Sequence, residues 1–156
     1  MRKSSIAFAA AVALPLHGPS FAQAPAQIDI EAVDPISGNW SYRAIPGGSE
    51  ADYIDARATV RLMVRCNRAA RTVSIVRTGV PAAAPTLSIW TTSMARSVPS
   101  SFLATKQLVA TVAATDSLLD AIAFSRGRFA TGASGAPLVA VRSGPETTRV
   151  IEDCRS

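Results

Sequence analysis

The chain predicts a mainly-β fold, a small antiparallel β-sandwich or curled sheet carrying two short helices. Three observations point there. Between residues 39 and 142, six or seven short segments alternate apolar with polar side chains, separated by Gly, Pro or polar turns. Only two stretches, about 116–124 and 145–154, repeat apolar residues at helical spacing. No segment repeats another and none is low in complexity.

The first residues read as a leader. Arg2 and Lys3 precede an apolar run from Ile6 to Leu16, well short of the ~20 residues a membrane-spanning helix needs, and small residues follow. This predicts a secretory signal peptide over residues 1–22, ending Ser20-Phe21-Ala22, or over 1–26, ending Ala24-Pro25-Ala26. Cleavage after Ala24 would set Pro25 directly beyond the cut, where a proline fits poorly. The expected location is periplasmic or secreted, with no transmembrane segment once the leader is gone. Residues 23–37, rich in Ala, Pro and Gln with the acids Asp29, Glu31 and Asp34, read as a flexible lead-in. Residues 38–156 are expected to form one domain.

Gly38-Asn39 opens a strand to Ala44, with Trp40 and Tyr42 on one face and Ser41 and Arg43 on the other. Ile45-Pro-Gly-Gly is a turn, and Glu50 to Asp55 a short second strand of poorer alternation. Thr59 to Cys66 is the clearest strand, since Val60, Leu62, Val64 and Cys66 share one face. Thr72 to Arg77 returns with Val73 and Ile75 inward, making an antiparallel hairpin. Two prolines in Val80 to Pro85 forbid a central strand there. Thr86 to Thr92 is a strand, Ser93 to Ser101 is polar and broken by proline and so reads as a connection, and Gln107 to Ala113 is a strand apolar on both faces.

The stretch Thr115 to Ala130 is the most distinctive. Asp116 is placed to cap a helix whose stripe is Leu118, Leu119 and Ile122, and Gly127 offers a left-handed stop. Arg128 to Thr131, a Gly/Ser turn over 131–136 and a strand Leu138 to Arg142 follow. Gly144-Pro145 then starts a terminal helix with Val150, Ile151 and Cys154 on one face.

Without the leader the chain has no histidine, since the only one is His17, and fourteen basic side chains against eleven acidic leave a surplus of three. So small a surplus does not imply nucleic acid. Cys66 and Cys154, 88 positions apart, are the only cysteines, and export favours their pairing as a disulfide. Neither a metal site nor a cofactor is expected: no histidine or third cysteine completes a tetrahedral shell.

Three constellations bear on chemistry. Gly132-Ala-Ser134-Gly-Ala-Pro137 has the outline of a glycine-flanked nucleophile, but a serine needs a base, and a hairpin turn explains every residue. Asp116 and Asp120 share a helix face at i and i+4, the one plausible carboxylate pair for a hydrolase, although one of them serves better as the cap. Asp52 and Asp55 read as solvated charges in a turn-like region; Arg61 and Arg65 share a strand face, with Arg77 on the partner strand, and form either a solvated face or one suited to carboxylates and phosphates; Trp40 and Trp90 read as core rather than ligand platforms. The remaining candidate is the pair Arg126 and Arg128 beside Gly127. They either grip a carboxylate or phosphate, or Arg126 caps the helix carbonyls while Arg128 pairs with Asp120 or Glu152.

The segments Leu62-x-Val64-Arg65-Cys66, Ile89-Trp90-x-x-Ser93, Leu119-Asp120-x-x-Ala123-Phe124-Ser125-Arg126-Gly127-Arg128-Phe129 and Val150-Ile151-Glu152-Asp153-Cys154-Arg155 carry a resemblance. The chain resembles small exported proteins of alphaproteobacteria, sphingomonads especially, with a like SRG(R/K)F segment and a terminal EDCR. In order and spacing of features it is more distantly similar to VasI-type accessory proteins of type VI secretion, which would imply an accessory role there. Neither resemblance supplies catalytic residues. The reading is therefore an exported binding or interaction module, not an enzyme, whose partner is another envelope protein or an anionic envelope polymer. A hydrolase using Ser134 or Asp116/Asp120 is the alternative of another class.

Overall fold

The computed structural model describes residues 25–156. Nine strands form one antiparallel sheet: β1 (Gly38–Ile45), β2 (Gly48–Asp55), β3 (Val60–Asn67), β4 (Thr72–Arg77), β5 (Thr86–Trp90), β6 (Ala95–Leu103), β7 (Gln107–Ala113), β8 (Arg128–Ala133) and β9 (Ala136–Arg142), in the spatial order β1-β2-β3-β4-β7-β6-β5-β8-β9. Helix α1 (Ser117–Ala123) joins β7 to β8, and α2 (Pro145–Arg155) follows β9. The mainly-β expectation holds, and the curled sheet is the form it takes.

Strict alternation builds the core. The register aligns Tyr42, Ala51, Val64, Ile75 and Ala110 across five strands, and Leu87, Ile89, Phe129, Val139 and Val141 continue the same face. From Ala51 onward these side chains are buried. Curling brings the two ends of the sheet together: the Trp40 ring of β1 stacks on Phe129 of β8 at 6.1 Å, Trp40 Nε1 donates to Arg142 O at 2.7 Å, and Ile36 N donates to Ala140 O.

Helix α2 covers β1 to β3 on this inner face, burying Thr147, Val150, Ile151 and Cys154. Pro145 starts it without needing an N–H partner, as predicted. Cys154 bonds to Cys66 at the end of β3, their Cα atoms 5.4 Å apart. Asp116 caps α1 by accepting from Leu118 N at 2.8 Å, and Gly127, at φ +73, provides the left-handed turn into β8 that a Cβ would strain.

Two expectations need correction. The polar stretch 93–101 is mostly strand, because β6 pairs with β5 through residues 95–99 and with β7 through 100–103. Ser100 N donates to Pro85 O, so the adjacent Pro99–Thr86 pair is a non-hydrogen-bonded one; the N–H that Pro99 lacks would have faced the edge that β7 has not yet reached. The lead-in, expected to be flexible, lies against the outer face of β5, β8 and β9. Ile30 is buried there with Ala130 and Ala140, Trp90 Nε1 donates to Ala26 O at 3.0 Å, and Arg128 Nη1 donates to Val33 O at 2.7 Å. The small side chains of Ala130 and Ala140 make room for it. The leader expected at 1–22 or 1–26 falls almost wholly outside the described residues.

Candidate functional site

The two-residue turn at Pro46-Gly47 fixes the pairing of β1 with β2, and the β2–β3 register extends it, so that Arg43, Glu50 and Arg65 stand in one row on the outer face. Asp52 stands on the same face two residues from Glu50. The Glu50 side chain is 0% exposed and that of Asp52 5%, whereas Arg43 and Arg65 are 59% and 50% exposed. Two buried carboxylates on an outer sheet face are costly unless paired. Both arginines supply the pairing. Arg43 Nη2 meets Glu50 Oε1 and its Nη1 meets Asp52 Oδ2 at 3.0 Å, while Arg65 Nε meets Glu50 Oε2.

Glu50 thus acts as a buried post to which two guanidinium groups are tied. Arg43 and Arg65 lie two strands apart, about 10 Å at the backbone, yet they converge on the two oxygens of one carboxylate. Among the described residues Arg65 uses only Nε, so its two terminal nitrogens are left to donate elsewhere, on a side chain that is half exposed. Asp52 Oδ1 is buried and has no hydrogen-bond partner. Burial pushes the Asp52 carboxyl above its ordinary value, the Glu50 charge pushes it further, and Arg43 and Arg65 oppose. The cluster of two cations and two acids is neutral with both acids ionised and carries one positive charge when Asp52 holds a proton.

The residues singled out from sequence have other partners. Arg126 is exposed, its backbone N donates to Thr92 Oγ1 at 3.1 Å, and among the described residues its side chain makes no hydrogen bond to the carbonyls of α1, while Arg128 is committed to Val33 O. Neither pairs with Asp120 or Glu152; Arg155 does, at 2.8 and 3.6 Å. Asp116 is held by Arg96 at 2.8 Å as well as by its capping bond. Burial raises its carboxyl, but the Arg96 and Leu118 hydrogen bonds outweigh that and hold it below the usual carboxylate range.

Ser134 stands in the two-residue turn between β8 and β9. Asp55 accepts from Arg57 N and Thr59 N, the turn role that its surroundings suggested.

Arg77 does not join Arg61 and Arg65. It pairs with Leu62 and so faces inward, where burial and then the Arg61 charge lower its pKa to about 10; Arg61 O, Thr78 O and Pro137 O receive its N–H groups. Among the described residues no group of three His, Cys, Asp or Glu could hold a metal ion, and no helix is long and apolar enough to cross a membrane.

Sequence reading does not single out Glu50, and its expectation of a solvated Asp52 is corrected, since that residue lies buried within β2. The signal was present in the Pro46-Gly47 turn, which alone pairs position 43 with 50. Compared with protein-family models, curated proteins and solved structures, the chain matches none.

Proposed function

We propose that this chain is an exported binding module that takes an anionic group of an envelope polymer or partner protein on Arg43 and Arg65. One observation carries the reading: two half-exposed guanidinium groups are fixed by a wholly buried carboxylate, and among the described residues the terminal nitrogens of Arg65 have no partner. A guanidinium that is already oriented loses less freedom on binding than a loose one, and its planar fork matches carboxylate and phosphate. The leader and the Cys66–Cys154 bond support export to an oxidising compartment.

The test is retention on an immobilised acidic polysaccharide, polygalacturonate, with neutral dextran as control. The variant R43Q/E50Q/D52N/R65Q removes the cations together with both acids they neutralise, so that no buried charge of the cluster is left alone. Loss of one or two charge-assisted bonds predicts about 10- to 100-fold weaker retention, with salt eluting the native protein. Equal retention by native protein and a folded variant would overturn the reading. Cell fractionation and N-terminal sequencing test the export half, with Gln23 or Gln27 expected as residue one.

A further inference from the structure

The outer face of β5, β8 and β9 carries a row of Trp90, Ala130 and Ala140, across which residues 25–33 lie. On one side of Trp90 a hollow of about 350 Å³ opens between the Pro25-Ala26 segment and a sheet wall that includes Thr86, Ser88, Trp90, Gly132, Ser134 and Leu138. Gly132 keeps it open, since a Cβ there would meet Trp90 Cζ3 at 3.0 Å and Leu138 Cδ1 at 3.3 Å. The indole is held by its N–H bond to Ala26 O, which spends its polar edge on the chain. Ser88 Oγ shares a hydrogen bond of 2.8 Å with Ser97 Oγ, and Ser134 is exposed at the rim.

The geometry points to a second binding site, in which this hollow takes a neutral saccharide of one or two rings. None of the residues lining it is charged, which disfavours an ionic ligand left without a counter-charge. A purely apolar ligand would bury the hydroxyls of Thr86 and Ser134 against nothing that can bond them. A pyranose ring meets both demands: its C–H face lies against an aromatic wall, and its hydroxyls exchange hydrogen bonds with hydroxyls at the rim. The volume falls at the lower end of small-ligand sites. This site and the Arg43/Arg65 row share no residue, and its ligand is uncharged where that one is anionic.

The probes are maltose, cellobiose and diacetylchitobiose, titrated into the ¹⁵N-labelled chain beginning at Gln23, which keeps Pro25 and Ala26, while the two indole N–H resonances are followed. The expected result is a saturable shift of the Trp90 indole, with that of Trp40 still, for at least one sugar in the millimolar range. T86V/S134A should weaken that affinity by about fivefold or more at an unchanged melting temperature, because it removes hydroxyls without removing volume from the core. R43Q/E50Q/D52N/R65Q should leave it unchanged, so the anionic site can fail while this one stands. No saturable shift with any of the three up to about 50 mM, or an affinity indifferent to T86V/S134A, overturns the proposal.

Discussion

Replacing both Cys66 and Cys154 with alanine removes a crosslink that closes a loop of 88 positions. In the chain-entropy relation a loop of that length restricts the unfolded ensemble by about 15 cal/mol/K, or about 4 to 5 kcal/mol at 25 °C. Unfolding entropy near the midpoint is about 2.1 cal/mol/K per residue, so the described residues 25–156 contribute about 0.28 kcal/mol/K. The quotient is a fall in Tm of about 15 °C. Both sulfurs are buried, with residue exposures of 2% and 1%, and the lost packing moves the result in the same direction. Thermal melts followed by circular dichroism measure it, beside mass spectrometry of the native protein under alkylation. A fall of less than about 5 °C, with the native bridge shown to be closed, would refute the loop-entropy account; two alkylated thiols in the native protein would refute the bridge itself.

Asp52 titrates above its unfolded value of 3.8, so the fold binds its proton first, and the stability this gives falls as pH rises through the folded pKa. Asp52→Asn should therefore stabilise the protein at pH 7, and urea denaturation should show the gain shrinking towards pH 4. Asp116→Ala removes both the cap of α1 and the Arg96 partner, and calorimetry should register a loss of about 1 to 2 kcal/mol. Arg128→Met gives up the bond to Val33 O, so limited proteolysis should cut residues 25–36 faster while Tm falls by only a few degrees, about 1 kcal/mol. Gly48→Ala would drive a Cβ to 2.0 Å from Cys66 O, and soluble yield should collapse.

Alternation made most of the sheet legible. β3, β4 and β7 follow it nearly residue for residue, and α1 and α2 announced themselves through Asp116 and Pro145. The same rule already held what was missed at Arg77: with Val73 and Ile75 inward, residue 77 must also face inward, and its charge disguised that. β6 was hidden because Pro99 and the serines argue against a strand, and only the changeover between two partners makes the proline harmless. Residues 25–33 looked unstructured because the surface that receives them, Ala130 and Ala140, lies about a hundred positions away in sequence. The Glu50 row depends on three strands being laid side by side, a relation that composition and local spacing do not encode, although the first turn encodes half of it.

The double allegiance of β6 has a kinetic meaning. β1 to β4 assemble from consecutive hairpins, as do β5 to β7, and each needs only near neighbours. The molecule becomes one unit when β4 finds β7 and β5 finds β8, contacts that span 31 to 44 positions. A rate-limiting search should therefore end at those two seams. Once they are shut, amide hydrogens of β4 and β7, which have a strand on either side, should be released by opening of the whole molecule.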